Sequence, residues 1–447
     1  MIRRRRDWLH RYPMIWLLIP IVVIILWRDK TSQPVAINTE STYYTAALID
    51  YPLERNKTFR YTARLNTGET VYLYFAKDSL RPLPEAGDSV VVLTRLKQGG
   101  MLGDFDYGKY LRRQGISGNG YVGRKDWQKI GHRDIRGPIL WQHRLVERYK
   151  QVGIDAQVLP VLSAITLGYK EDLDDTVRRR FQRSGAAHVL AVSGLHTGLI
   201  AALITGLLTL WGWYKPLYEE RWRRTLNSLV LIAGIWLYAA MTGLTPSVVR
   251  SAIMVTLAAV AYMFYRKPLG LNTLAAAAIA ILLIRPNDLF SVSFQMSFAA
   301  VAGILICMPL MKLEEPISLI NRGIVYIYGI LSLVQISIAA QFAVLPLTLH
   351  YFSQTSNYFI LTNLGVLPLA QIAVYLAVAV LALGTIPFVG PALVWCENMV
   401  IDIMLRYTGW IENLPGAVTE RTITPVMAIV LYAIMIAGLI ILKIIRR

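Results

Sequence analysis

The chain has 447 residues, 55% of them hydrophobic and only 17% charged, where a soluble globular protein carries about 25% charged residues. With a mean hydropathy of +0.44, these figures exclude a disordered chain and a wholly soluble one. Several apolar runs approach or exceed the roughly 20 residues that a bilayer-spanning helix needs. The balance of 46 Lys and Arg against 28 Asp and Glu, formally +18, is strongly basic, and part of it is the positive bias of cytoplasmic loops.

Cofactor chemistry finds little support. Cys307 and Cys396 both lie in apolar segments and offer neither a disulfide framework nor metal-ligand spacing. The six histidines form no H-E-x-x-H, and there is no Walker loop and no G-x-G-x-x-G. No ATPase, nuclease, metal site or cofactor is expected.

In chain order, Arg3, Arg4, Arg5, Arg6 and Arg11 precede the apolar run Met14–Trp27. The nearest small-residue cleavage site is Val35-Ala36 behind Pro34, so residues 1–29 are read as an uncleaved anchor with its amino end in the cytoplasm. From residue 30 the apolar runs shorten to strand length. Tyr43–Asp50, Thr58–Thr67, Val71–Phe75, Ser89–Leu96 and Gly118–Gly123 are predicted strands, and Asp106–Gln114 is a predicted helix. Five strands and a helix suit a small β-barrel of OB-fold type over residues 30–130, outside the cytoplasm. Residues 131–187 read as an amphipathic connector lying against the membrane or over the mouth of the following bundle.

From residue 188 to 447 the chain reads as membrane bundle. The expected spans are His188–Trp213, Leu226–Gly243, Val248–Tyr265, Leu271–Ile284, Phe290–Met311, Ile324–Leu349, Tyr358–Gly384, Leu393–Ile411 and Val426–Leu442. With the anchor they make an α-helical polytopic bundle of about ten spans, which places Arg221–Arg224, Arg266–Lys267, Lys312 and Lys443–Arg447 in the cytoplasm. Leu393–Ile411, with Glu397, Asp402 and Arg406, reads as a span or an interfacial helix.

Four groups of residues carry candidate chemistry. His188, Ser193, Gly194 and His196 place polar groups at the head of an apolar segment, where burying them is costly. The pair Ser193 and His196 suits a nucleophile and base, or a polar patch on a bent helix, or helix packing. Arg250 lies one turn inside a helix that follows Gly243 and Pro246, a place for an anionic group or for a snorkelling cation. Gln295, Ser293 and Ser297, with Asn363, give the bundle a neutral polar lining that suits a wet conduit or interhelical glue. In the outer domain, Arg60 and Arg64 share one face of a strand and Tyr72 and Tyr74 the same face of the next. Tyrosine among arginine is the platform expected for single-stranded nucleic acid; bases also discourage edge-to-edge aggregation. Residues 30–150 hold 20 Lys and Arg against 12 Asp and Glu, an excess of 8.

Several motifs, taken in order, resemble the ComEC family of competence proteins. They are Asp106-Tyr-Gly-Lys-Tyr110-Leu-Arg-Arg-Gln-Gly115-Ile, Ser184-Gly-Ala-Ala-His188 with Leu190-Ala-Val-Ser193-Gly194-Leu195-His196, Thr242-Gly-Leu-Thr-Pro-Ser-Val-Val-Arg250, Ser293-Phe-Gln295-Met-Ser297-Phe298 and Leu361-Thr-Asn363-Leu-Gly-Val-Leu-Pro368. The resemblance implies an inner-membrane channel carrying single-stranded transforming DNA into the bacterial cytoplasm. It also implies partners: the lipid bilayer, a periplasmic DNA receptor, a cytoplasmic helicase-like motor and single-strand-binding proteins. Many members carry a metallo-β-lactamase-like domain; no H-x-H-x-D-H cluster occurs here, so a short form is expected, with strand degradation left to a separate nuclease. An intramembrane serine hydrolase using Ser193 and His196, and a membrane scaffold whose outer domain binds a protein, are the rival expectations.

Overall fold

The computed structural model describes residues 12–31, 40–55, 57–77, 82–102, 105–133, 137–210, 220–264, 270–311 and 322–445. They fall into two compact units. One holds Val22–Leu140 and Arg285–Phe290, the other Met1–Ile21, Trp141–Ile284 and Ser291–Arg447.

The first unit takes in the later part of helix α1 (Pro13–Thr31) and is otherwise mainly a curled mixed sheet. Its strands are β1 (Thr42–Leu48), β2 (Leu53–Glu54), β3 (Thr58–Leu65), β4 (Thr70–Ala76), β5 (Asp88–Thr94), β6 (Leu96–Lys97), β9 (Gly118–Val122) and β10 (Trp127–His132). Two short strands, β7 (Met101–Leu102) and β8 (Phe105–Asp106), pair separately ahead of helix α2 (Tyr107–Arg113). The sheet order is β10-β5-β1-β3-β4-β9-β6, with β2 on β3; its pairings are antiparallel except β4 with β9.

Period-2 alternation explains the core. Tyr61, Ala63 and Leu65 of β3, Val71, Leu73 and Phe75 of β4, and Val90 and Val92 of β5 are buried, while alternate residues face outward. Tyr61 is fully buried because its hydroxyl donates to the Pro84 carbonyl at 2.7 Å. Phe75 meets Tyr61 and Trp127 edge-on, at 5.0 and 5.8 Å between centroids. Gly68, at φ +91°, makes the β3–β4 turn that an L side chain would strain. The predicted strands lie where β1, β3, β4, β5 and β9 form, and the predicted helix where α2 forms. The sixth long strand, β10, escaped prediction because most of its side chains are exposed, leaving no apolar alternation to read.

The second unit is helical: α3 (Pro138–Gln151), α4 (Leu159–Leu167), α5 (Asp175–Ser184), α6 (Gly194–Leu210), α7 (Arg221–Met241), α8 (Pro246–Met263), α9 (Gly270–Ile284), α10 (Val292–Cys307), α11 (Arg322–Phe352), α12 (Phe359–Leu383), α13 (Val389–Glu412) and α14 (Pro425–Ile445). A short antiparallel pair of strands, β11 (Gln354–Ser356) and β12 (Val418–Glu420), ties together two connections distant in sequence. Among the described residues, five segments are long and apolar enough to cross a bilayer: Arg221–Met241, Pro246–Met263, Val292–Leu310, Tyr328–Phe352 and Phe359–Leu383. Gly194–Leu210, Gly270–Ile284 and Pro425–Ile441 are shorter apolar helices. Helices α1 and α13 are long but charged, through Arg28, Asp29 and Lys30 in one and Glu397, Asp402 and Arg406 in the other.

Two expectations need correction. The span expected from His188 begins as a helix only at Gly194; His188 lies in the preceding turn and Ser193 is the last residue before the helix. Within the connector expected to be amphipathic, α4 is not: apart from Pro160 its residues are buried in the core of the helical unit, because LPVLSAITL has no polar face to offer water. Arg3, Arg4, Arg5, Arg6, Arg11, Val35, Ala36, Trp213, Arg266, Lys267 and Lys312 lie outside the described residues, as do the side chains at the carboxyl end.

Candidate functional site

The segment between α5 and α6 is non-helical yet buried. Ala186, Val189, Leu190 and Val192 are at most 5% exposed, and irregular backbone of this kind is tolerated among membrane helices where protein covers it. Its entry is pinned: the Ser184 carbonyl accepts from Thr362 Oγ1 at 2.6 Å and Ser356 Oγ at 3.0 Å. Gly185 sits at φ +90°, where a Cβ would stand 2.9 Å from that of Ser356.

Its exit is a reciprocal cap. Ser193 Oγ accepts from the Leu195 N–H at 3.3 Å, while the Ser193 N–H donates to His196 Nδ1 at 3.1 Å. Ser193 Oγ is itself 3.2 Å from His196 Nδ1. Since Nδ1 accepts, the proton of a neutral ring sits on Nε2, a buried atom with no hydrogen-bond partner among the described residues. His196 is fully buried, whereas His188 is exposed.

Neighbouring helices bring more polar groups to this head of α6. A Cβ on Gly194 would lie 3.3 Å from Ser251 Oγ on α8. One residue earlier on α8, Arg250 is 2% exposed and donates from Nη2 to Ser293 Oγ at 2.7 Å and to the Ser293 carbonyl at 3.1 Å. Ser193, Gly194 and His196 therefore adjoin the α8 turn that carries Arg250. Gln295 and Asn363 sit elsewhere, each turned toward α11: Tyr351 donates to Gln295 Oε1 at 2.8 Å, and Asn363 Nδ2 donates to Ser337 Oγ at 3.2 Å. Ser297 is half-buried on α10.

On the β unit, Arg60 stands 4.4 Å from the centroid of the Tyr72 ring. Arg64 is exposed, and Tyr72 donates to Gln114 Oε1 at 3.2 Å. Pairing sets Arg60 opposite Tyr74, and Tyr74 opposite Tyr121 of β9. Tyr107 and Tyr110 of α2 stack at 6.0 Å between centroids, and Tyr74 lies near enough to Tyr107 to add to burial in pushing its phenol up. Burial pushes the Tyr107 and Tyr72 phenols up, so both stay neutral beside an anion. The face thus includes Tyr107, Tyr110 and Tyr121, which the sequence reading missed. Their signals were the i, i+3 spacing in α2 and the outward position of Tyr121 in β9.

Gly108 and Asp106 have local roles in the same motif. A Cβ on Gly108 would collide with the Gly99 carbonyl, and Asp106 caps α2 by accepting from the Lys109 N–H at 2.7 Å. Among the described residues, Glu85, Asp88 and His132 could converge on a metal ion, but the Lys129 ammonium already lies 2.7 Å from Asp88 Oδ1.

These features define a multi-pass membrane protein that carries a separate β-sheet unit. Residues 165–446 match the Competence protein family, and the chain belongs to it. It is 26% identical over 272 residues to ComE operon protein 3 of Bacillus subtilis, covering 60% of this chain and 31% of that protein. An uncharacterized protein of Aquifex aeolicus is 29% identical over 164 residues, 36% of each chain. Competence protein ComA of Neisseria gonorrhoeae is 27% identical over 173 residues, 38% of this chain and 25% of that one. The matched stretches thus span little more than a third of these relatives at most. No solved structure matches.

Proposed function

We propose that the chain is a bacterial inner-membrane channel that takes up single-stranded DNA during natural competence. The basic tyrosine face of the sheet, in a chain of the Competence family, carries this reading. Bases stack on phenols at about 1–3 kcal/mol each without regard to sequence, and arginine holds phosphate. The polar head of α6, with His188, Ser193, His196 and Arg250, supplies hydrogen bonds on the path, and Gln295, Ser297 and Asn363 line it further along. Ten crossings, counting α1 and α13, keep both termini cytoplasmic and put the β unit outside. An OB-type barrel is supported by β5 and β6, one run whose first part pairs with β1 and whose second part pairs with β9. The protein is not an enzyme in this reading. The pull comes from a cytoplasmic motor and single-strand-binding proteins, a periplasmic receptor delivers the DNA, and a separate nuclease removes the second strand.

One observation favours the intramembrane hydrolase: Ser193 Oγ lies within hydrogen-bond reach of His196. Against it, His196 Nδ1 already accepts from the Ser193 backbone, and no carboxylate pairs with Nε2 among the described residues. A scaffold would leave the tyrosine face without a nucleic-acid ligand.

The test is salt-dependent binding of a labelled single strand to the full protein in nanodiscs, followed by entry into proteoliposomes. Each phosphate contact contributes about −0.7 to the slope of log affinity against log salt. Arg60→Glu with Arg64→Glu should flatten that slope by about 1–2 and weaken binding of all sequences alike. A flat slope in the native protein refutes DNA binding at this face. Entry that persists in Ser193→Ala favours the conduit over the hydrolase.

A further inference from the structure

Helix α13 packs through Gly390, Val394, Glu397, Ile401, Met404, Thr408 and Ile411, spaced alternately four and three residues apart, the spacing of a packed helical seam. Glu397 stands in the middle of it. Its side chain is fully buried, and neither carboxyl oxygen has a hydrogen-bond partner among the described residues. A leucine would complete the seam at no electrostatic cost.

Among the described residues, no counter-charge pairs with Glu397. The buried residues of α12, the helix next to α13, are Val366, Ala370, Ala373, Val374, Ala377 and Val380, all apolar, and Thr362, which is already bonded to Ser184. Arg180 and Arg183 of α5 are taken by Glu412, at the far end of α13. On α13 itself, Asp402 and Arg406 pair with each other on its exposed side, and Cys396 is half-buried.

The titratable group on the flank of Glu397 is Tyr149 of α3. Burial pushes its phenol up, a bond with Thr166 pulls it back, and the Glu397 carboxyl adds a further push. The Tyr149 hydroxyl lies 3.2 Å from Thr166 Oγ1. On α4, one turn before Thr166, Ser163 Oγ is also buried with no hydrogen-bond partner among the described residues. An ionised carboxylate left bare in such a place gives up its charge by taking a proton.

We propose that Glu397 is a proton-binding site of the helical unit: it stands as the carboxylic acid, and its ligand is an exchangeable proton.

The experiment uses the full chain in nanodiscs. Infrared difference spectra between the native protein and Glu397→Gln should show a carboxylic-acid carbonyl stretch at neutral pH that the variant lacks. The band should shift in heavy water. Dicyclohexylcarbodiimide, which modifies protonated carboxyls in apolar surroundings, should label Glu397 on peptide mapping. Labelling should fall about tenfold per pH unit above the titration point. Should Glu397→Gln misfold, the pH titration and labelling of the native protein stand alone. A carboxylate stretch with no labelling at neutral pH overturns the proposal. So does an acid band that heavy water leaves unmoved, which would mark a sealed structural acid.

Discussion

Asp88 fastens β10 to β5, and its removal should loosen that edge of the sheet selectively. Its side chain is 1% exposed. Oδ1 takes His132 Nδ1 at 2.6 Å and Lys129 Nζ at 2.7 Å, and Oδ2 accepts from the Glu85 N–H at 2.9 Å. Asp88→Ala strands the Glu85 N–H, a loss of about 1–2 kcal/mol. The two charged bonds add about 1 kcal/mol more, because Lys129 and His132 are 46% and 38% exposed and rehydrate when released. A total near 3 kcal/mol corresponds to roughly 100-fold faster amide exchange. Exchange mass spectrometry on the full protein should find that acceleration in peptides of β5 and β10 and none in the helical unit. The pH dependence has a definite sign. Burial would raise the Asp88 carboxyl, but the Lys129 and His132 bonds outweigh it and hold it below the usual range. Its stabilisation is full above about pH 4, the unfolded value, and is lost as pH falls through the native one, so native and variant should converge in acid. Less than threefold acceleration at neutral pH would refute the reasoning.

Gly303 lets α10 and α11 meet: a Cβ there would lie 2.7 Å from the Ala339 carbonyl and would collide with Ala343. Gly303→Val should destabilise the helical unit by about 1–3 kcal/mol, read as a lower midpoint in detergent-solubilised thermal unfolding, with Gly303→Ala falling between. His143 packs edge-on to Tyr169 at 4.9 Å, and burial lowers its ring to about 4. A base lowered on folding withdraws stability as pH falls from its ordinary value near 6.5 toward 4. His143→Gln should therefore flatten the midpoint-against-pH curve over that window.

Much of the β unit was legible because its strands are half-buried and alternate cleanly. Tyr61, Ala63 and Leu65 against Arg60 and Arg64 is a pattern that only one register satisfies. The exposed β10 gave no such pattern, and its place in the sheet depends on partners such as Asp88 far away in sequence. Among the helices, the apolar runs marked the segments but not their starts. Val189–Val192 runs on into α6 as one apolar stretch broken only by Ser193 and Gly194, and the Ser184 carbonyl before it is pinned by Ser356 and Thr362, some 170 residues later. In the candidate site, the polar residues could be found as costly exceptions in apolar surroundings. Their grouping could not. That Arg250 meets Ser293, while Gln295 and Asn363 turn to α11, comes from helix packing that no local spacing encodes.

The parallel pairing of β4 with β9 bears on how the chain acquires this fold. Strands β3 and β4 can zip together as soon as both exist, joined by a tight turn. Val71 must wait for Gly118 and Phe75 for Val122, and that loop closes only after β5, β6 and α2 have been made. Such distant contacts are slow to form. Until they do, β4 presents a bare edge carrying Tyr72 and Tyr74, the kind of edge on which chains aggregate. The β unit should therefore pass through a vulnerable interval between synthesis of β4 and arrival of β9, and truncation before Gly118 should yield insoluble protein rather than a smaller folded unit.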